Sequence, residues 1–363
     1  LAALVFWLQA GAGKGFAAFT AVLIVACPCA LALSTPFTMS AALSIFDKNL
    51  FYLKNVAVVE QLARIDTIVF DKTGTITTDQ GNNVKYEGVL SGEQAALVFS
   101  ACINSIHPLS RLICRSLGEA RRLPVSEYKE ISGKGILARI DGHELRLGSG
   151  DFIFDRLDQP VNSTRVYIVI DEIYLGYFAF SHHYRDGMDK ISELGKRYDL
   201  HLLSGDQAHE RRELLEFFPD AGKMRFKQSP QDKLDFIRAL QQSKAKVMMI
   251  GDGLNDSGAL KQSDLGIAIT DNVNNFSPGS DAILDGRSFA RLPAFLSFSK
   301  DTVKIIHFSF LISLTYNLAG LTYAVTGNLS PLVAAILMPL STVTIISFTT
   351  IATRLAAKKR KLI

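Results

Sequence analysis

Asp71 closes the run Thr67-Ile68-Val69-Phe70 and is followed at once by Lys72-Thr73-Gly74-Thr75. Four β-prone residues read as a buried strand, and chemistry in parallel α/β sheets collects at the carboxyl ends of the strands. A carboxylate standing there among the N–H groups of a glycine-bearing loop can act as a nucleophile; it can also be a plain turn or helix-cap aspartate. Two more apolar runs end the same way. Leu200-His201-Leu202-Leu203 leads into Ser204-Gly205-Asp206, and Val247-Met248-Met249-Ile250 leads into Gly251-Asp252-Gly253-Leu254-Asn255-Asp256. Between them Ser229-Pro230-Gln231-Asp232-Lys233 opens a helix, with Ser229 as cap, Pro230 in the first turn and Lys233 one turn in. A carboxylate, a hydroxyl and an acidic loop thus stand at three strand ends, with a lysine presented by the helix between them.

A second candidate centre is Ala26-Cys27-Pro28-Cys29-Ala30, inside an apolar stretch that carries no charge from residue 16 to residue 46. That stretch is long enough to cross a hydrocarbon core of about 30 Å. Proline lacks a backbone N–H, so Pro28 and Pro36 are expected to kink or unwind the helix and free carbonyls at mid-membrane, where irregular backbone is tolerated only if it lines a site. Two thiols beside such a break would be soft ligands for Cu(I) or Zn(II) rather than for Ca²⁺ or Mg²⁺. The alternative is that both cysteines pack as small hydrophobes.

The elements that must hold these groups follow from how polarity is segregated along the 363 residues. The chain is 48% hydrophobic, with a mean hydropathy of +0.19, and its apolar runs lie at 15–47 and 303–354. The middle has ordinary globular composition, which predicts a membrane protein with one large soluble insert. Basic residues at Lys48, Lys54 and Arg64 and in the tail (Arg354, Lys358, Lys359, Arg360, Lys361) place the insert and both ends of the last two spans on the cytosolic side. A net charge of +4 with no basic stripe argues against nucleic acid as a partner. Cys27, Cys29, Cys102 and Cys114 are too few and too unevenly spaced for a disulfide framework, so reduced thiols are expected. Residues 1–9 read as the tail of a membrane helix and 10–15 as a turn, so the chain reads as starting inside a longer protein.

Asp71-Lys72-Thr73-Gly74-Thr75 resembles the phosphorylation signature of the P-type ATPases, and Cys-Pro-Cys just ahead of it resembles their heavy-metal (type IB) branch. The resemblance covers nearly the whole chain. It implies an α/β haloacid-dehalogenase-like phosphorylation domain, an inserted α+β nucleotide-binding domain and transmembrane α-helices. The expected division is 1–47 membrane helices, 48–78 first part of the phosphorylation domain, 79–181 nucleotide-binding domain, 182–302 second part, and 303–363 two membrane helices with a basic tail. ATP and Mg²⁺ are the implied cofactors.

By the same resemblance Asp71 takes the γ-phosphoryl group. Lys72, Thr73, Ser204, Gly205, Asp206, Lys233, Asn255 and Asp256 complete the catalytic loops, and Asp71, Asp252 and the Thr73 carbonyl hold Mg²⁺. His107-Pro108, Gly133, Gly135 and Gly148 stand in the order of the family's adenine-binding residues. Ile106, Ser149, Ser204 and His182 depart from its usual residues. Read by themselves, His107 is a helix-start residue and the glycines are turns.

Tyr316, Asn317, Met338 and Ser341 resemble the cargo signature of the copper pumps, and residues 329–353 carry no Asp or Glu of the kind zinc and cadmium relatives use. Taken singly they could equally be interhelical hydrogen-bonding groups. The implied function is ATP-driven export of a soft cation, Cu(I), with membrane lipid and a copper chaperone as partners and the cell membrane as location. A zinc or cadmium pump, a membrane-tethered phosphatase of the same core and a non-enzymatic metal-binding membrane protein are the alternatives. Against a phosphatase stands Thr73, where such enzymes carry a second Asp. The family's dephosphorylating Thr-Gly-Glu loop belongs upstream of Cys27, and Ser91-Gly92-Glu93 comes too early in the insert to replace it. The chain alone is therefore expected to take up phosphate and stall.

Overall fold

A computed structural model describes residues 2–9, 11–118, 120–131, 133–154, 164–206, 211–253, 256–271 and 279–363, with the backbone alone at 79–83 and 181–183. It divides into two compact units. The first comprises Leu1–Asp71, Asp186–Leu203 and Gln228–Ile363, and the second Lys72–Arg185 and Ser204–Lys227.

The strands in chain order are β1 (Phe51–Leu53), β2 (Thr67–Asp71), β3 (Thr77–Gly88), β4 (Val125–Ile131), β5 (Gly135–Ile140), β6 (His143–Gly148), β7 (Thr164–Ile170), β8 (Ile173–Tyr184), β9 (Asp199–Leu203), β10 (Met224–Arg225), β11 (Val247–Gly251), β12 (Leu265–Thr270) and β13 (Ala282–Asp285). In the first unit the sheet order is β1-β13-β12-β11-β2-β9. Every pair is parallel except the edge pair of β1 with β13. β2 and β11 are buried along their whole length, as strands covered on both faces must be. Val69, Leu203, Ile237, Val247, Met249, Ala259 and Leu260 form the core between this sheet and the helices Pro230–Gln242 and Ser257–Gln262.

The same unit carries the membrane-type helices. Among the described residues three stretches are long and apolar enough to cross a membrane: Ala12–Lys48 counted across its break, Gly286–Val325 and Pro331–Lys359. The first consists of helices Ala12–Val25 and Cys29–Lys48, interrupted at 26–28. Helix Cys29–Lys48 runs unbroken through Pro36, so the expected unwinding occurs at Pro28 only. Thr38 lies two residues beyond Pro36, and its hydroxyl donates to the Ser34 carbonyl, a side-chain bond that supports this part of the helix. The third span opens with Ser330 capping Val333 N–H.

The long helix Leu292–Val325 begins well before the apolar run that marked it in the sequence. Its lower end is anchored by an aromatic cluster. Phe46 lies 5.5, 5.7 and 5.4 Å, ring centre to ring centre, from Phe51, Phe295 and Phe298. The tail docks here too: Arg360 pairs with Asp301 at 2.7 Å, Asn49 donates to the Leu362 carbonyl, and Arg291 donates to Asn49.

The second unit is built on an antiparallel sheet in the order β3-β8-β7-β6-β5-β4. Helices Gly92–Cys102 and Pro108–Leu117 contribute Leu97, Val98, Ala101, Cys102 and Ile113 to its core. Ser91 forms a capping box with Gln94, so Ser91-Gly92-Glu93 is the start of a helix.

Candidate functional site

β2 and β9 pair in parallel with Asp71 opposite Leu203, and β11 pairs with β2 with Ile250 opposite Phe70. The chain therefore leaves three adjacent strands at one sheet end into Lys72, Ser204 and Asp252. This is the strand-end placement expected for the candidate loops.

Within the first unit, Asp71, Lys233 and Asp256 form a buried triad. The Lys233 ammonium lies 2.6 Å from Asp71 Oδ1 and 2.7 Å from Asp256 Oδ1, and all three side chains are at most 8% exposed. Lys233 gets there through local sequence: Ser229 and Asp232 cap each other reciprocally, and Pro230 occupies the first turn. Asp256 gets there because Gly251 has no side chain. A Cβ at 251 would sit 2.8 Å from Asp256 Oδ2.

Two carboxylates in so little water share one ammonium, and the electrostatics follow. Burial, and then the charge of Asp256, pushes the Asp71 carboxyl up to about 7 against the opposing pull of Lys233. Burial likewise raises Asp256. Lys233 is held above its usual value by the two carboxylates, although burial, the largest effect on it, acts the other way.

The fit of a hard divalent cation can be judged from this corner. Asp252 adds its repulsion to both Asp71 and Asp256, and Asp256 Oδ2 is buried without a hydrogen-bond partner among the described residues. Three carboxylates against one ammonium, with an unsatisfied oxygen among them, are a donor set suited to Mg²⁺. Among the described residues no group of three or more His, Cys, Asp or Glu is already drawn into a ligand cage.

Within the second unit, the loop after Asp71 is held by Asp206. Lys72 Nζ lies 2.8 Å from Asp206 Oδ2, and Thr73 Oγ1 donates to the same oxygen at 3.0 Å. Ser204 Oγ, fully buried, accepts from Asp206 N–H at 3.1 Å. Gly205 lies between these two residues. Arg185, which the sequence did not single out, fixes the far side of the loop by donating to the Thr75 carbonyl at 2.7 Å and the Gly74 carbonyl at 3.0 Å. No motif marks it; its one signal is a charged residue at the end of an apolar strand. Asn255 lies outside the described residues.

His107 caps helix Pro108–Leu117, its Nδ1 accepting from Leu109 N–H at 3.2 Å. Gly135 and Gly148 face each other across β5 and β6, and a Cβ on either would lie within 2.4 Å of a carbonyl oxygen, Leu147 O for one and Lys134 O for the other. Gly133 turns the chain just before β5 with φ +73°. These glycines let two backbones approach each other, which leaves open how closely a ligand approaches them.

In the membrane part, Cys27 and Cys29 are joined by a disulfide, with Cα atoms 5.5 Å apart. This corrects the expectation of reduced thiols for this pair: the break at Pro28 brings the two cysteines within bridging reach, and binding a metal requires their reduction. Cys102 and Cys114 are free, as expected. Tyr316 donates to the Leu337 carbonyl at 3.1 Å, next to buried Met338 and close in sequence to buried Ser341. Asn317 Oδ1 is buried and has no partner among the described residues.

Residues 65–264 match the family model of the haloacid dehalogenase-like hydrolases. The chain is 30% identical over 362 residues to a cation-transporting P-type ATPase B of Mycobacterium leprae (strain TN), covering 94% of this chain and 48% of that protein. It is also 30% identical over 346 residues to a copper-exporting P-type ATPase of Staphylococcus aureus (strain JH9), covering 90% of this chain and 42% of that protein. The chain thus spans about half the length of the curated relatives it matches. Among solved structures, a zinc-transporting PIB-type ATPase shares the fold with a TM-score of 0.76 at 24% identity, over 94% of this chain and 57% of that one. The catalytic domain CopB-B of a CPx-ATPase matches with a TM-score of 0.50 at 28% identity, over 68% of this chain and 95% of that one. With more than half of its length inside the family match, the chain belongs to the haloacid dehalogenase-like hydrolases, and the curated relatives it matches are P-type ATPases.

Proposed function

We propose that this chain carries the phosphorylation and cargo sites of a heavy-metal P-type ATPase that exports Cu(I) at the expense of ATP. The observation that carries the reading is the buried Asp71–Lys233–Asp256 triad at the end of β2. A structural aspartate has no need of a desolvated corner in which two carboxylates share one ammonium, whereas a nucleophile that must accept a dianionic group does.

In the proposed step an Asp71 carboxylate oxygen attacks the γ-phosphorus of ATP. The bond to the β,γ-bridging oxygen breaks, ADP leaves, and an acyl phosphate remains. Lys233 holds its proton throughout, and its ammonium, already 2.6 Å from the nucleophile, is the fixed cation for the incoming phosphoryl oxygens. Mg²⁺, when bound, would supply further neutralisation of that charge, with Asp71 and Asp252 as the residues to hold it. Lys72 and Asp206 keep the loop behind the nucleophile in place. The divisions at 48–78, 79–181 and 182–302, and the nucleotide roles of His107 and the glycines, form part of this proposal.

Cu(I) is preferred on ligand chemistry. Cys27 and Cys29, once their disulfide is reduced, and Met338 are soft donors, and helix Pro331–Lys359 contains no carboxylate to balance a divalent ion. The relatives named as copper-exporting support the metal, and the zinc-transporting structure supports the fold. The test is labelling of the reduced chain from the γ-phosphate of ATP. Acid-stable, Cu(I)-dependent label that is lost in Asp71→Asn is expected. Label retained by Asp71→Asn would overturn the nucleophile, and label driven by Zn(II) instead of Cu(I) would overturn the metal.

A further inference from the structure

Hydroxyls in the membrane helices mostly bond their own backbone one turn back. Thr315 donates to Leu311, Thr322 to Leu318, Thr342 to Met338 and Thr344 to Leu340. Ser313 does not. It is fully buried, and its Oγ, like Asn317 Oδ1 one turn further on, has no partner among the described residues. In an apolar bundle such an atom is costly, and its hydroxyl could have bonded locally as its neighbours' do.

Two contacts fix where these atoms lie. Near one end Val25 packs against Gly320, where a Cβ would sit 3.0 Å from Val25 Cγ1. Near the other Ser34 and Ser309 hydrogen-bond through their hydroxyls. The two segments are therefore antiparallel. Going from Val25 to Ser34 the chain passes Cys27 and Cys29; going from Gly320 to Ser309 it passes Asn317, Tyr316 and Ser313. The bond from Tyr316 to the Leu337 carbonyl brings Met338 to the same level. The unpartnered oxygens thus stand at the height of the cysteine pair.

We infer that Ser313 is a positioning residue of the cargo site, its hydroxyl reserved for the metal–thiolate centre that Cys27 and Cys29 form once reduced. A disulfide sulfur is a weak acceptor, which agrees with a partnerless Ser313 in the oxidised pair seen here. A metal-bound thiolate is a strong acceptor for an O–H, and outer hydrogen bonds of this kind tune metal affinity by roughly 10–100-fold. The inference rests on the reading of Cys27 and Cys29 as cargo ligands. Asn317 and Met338 entered that reading by resemblance, whereas Ser313 enters it only from its burial and lack of a partner.

The experiment is Cu(I) binding to the reduced, detergent-solubilised chain, measured by competition with a Cu(I) chelator, beside thermal unfolding of the metal-free protein. Ser313→Ala should weaken Cu(I) binding about tenfold or more. Its metal-free unfolding temperature should not fall, because alanine removes an unsatisfied buried group. Ser313→Thr, which keeps the hydroxyl, should restore affinity. Unchanged affinity in Ser313→Ala overturns the inference, and so does a lowered unfolding temperature with weak binding that Ser313→Thr does not rescue, since that is a packing role. A wild-type chain that binds Cu(I) but takes no phosphate from ATP would count against the transport reading while leaving this one standing. A wild-type chain that does not bind Cu(I) would sink both.

Discussion

Replacing Lys233 by methionine keeps most of the side chain's length and removes its charge from between Asp71 and Asp256, to which it lies at 2.6 and 2.7 Å. Both carboxylates then remain buried with no counter-ion, a situation that destabilises proteins by about 3–5 kcal/mol when the charges cannot escape. Here they can escape by taking up protons, and this sets the pH dependence. Asp71 already titrates near 7 in the fold, against an ordinary value of 3.8. The folded state therefore binds more protons than the unfolded one between those two values, and this carboxyl makes stability fall as pH rises from about 4 to about 7.

Loss of an adjacent opposite charge moves a carboxyl upward by about 1–3 units, so in Lys233→Met the fall should continue past pH 8. The variant should approach wild-type stability near pH 5, where its carboxyls are neutral, and be weakest above pH 8. Chemical denaturation with a chelator present, from pH 5 to 9, measures this. Acyl-phosphate formation at pH 7 should drop by about 10–1,000-fold, because a protonated Asp71 is no nucleophile, and part of the loss should return with rising pH. A destabilisation equal at all pH values, or a rate loss with no pH dependence, would refute the electrostatic account and leave Lys233 a packing residue.

Arg185→Ala leaves the Gly74 and Thr75 carbonyls without their charged donor; destabilisation of about 1.5–3 kcal/mol and faster hydrogen exchange in 72–77 are expected, and unchanged exchange would count against it. Gly135→Ala would drive a methyl to 2.1 Å from Leu147 O, so β5 and β6 must part locally, at a cost of about 1–3 kcal/mol that denaturation of the variant should reveal. His143 is held above its usual value by Asp171, which its Nδ1 meets at 2.6 Å, and Asp171 is held below its own. The pair's contribution is lost as pH falls through the Asp171 value or rises through that of His143. In Asp171→Asn the His143 ring should titrate lower by NMR, and an unmoved midpoint would show that the pair is absent in solution.

The strand-end loops of the first unit were legible because β2 and β11 are short, wholly apolar and stop at polar loops, a pattern with few alternatives. Ser229 and Pro230 likewise announce the helix that presents Lys233. What the residues could not reveal was decided by partners distant in sequence. β1 is three residues long and exists because β13 offers it an edge, so no periodicity marks it. β4 has a charged, mostly exposed sequence and is a strand only through its ladder to β5. Helix Leu292–Val325 carries Lys300 and Asp301 in its third turn, charges that end a hydropathy run but suit a helix outside the hydrocarbon. Ser313 looked like any serine in a span, because lacking a partner is a property of the surroundings and not of the residue type.

The aromatic cluster at Phe46, Phe51, Phe295 and Phe298 has a mechanical meaning. Helix Leu292–Val325 has 34 residues and at about 1.5 Å each runs about 50 Å, some 20 Å more than a hydrocarbon core of about 30 Å. The surplus is clamped by four rings with no solvent exposure, one on the span that carries Cys29 and one on the edge strand of the sheet. Close-packed aromatic contacts do not flex continuously. The joint thus acts as a crank pin, a place where turning the sheet and turning the two spans are one motion. Any slack between these spans has to be taken up elsewhere, and among the described residues the interruption they offer is the three-residue break beside Cys27.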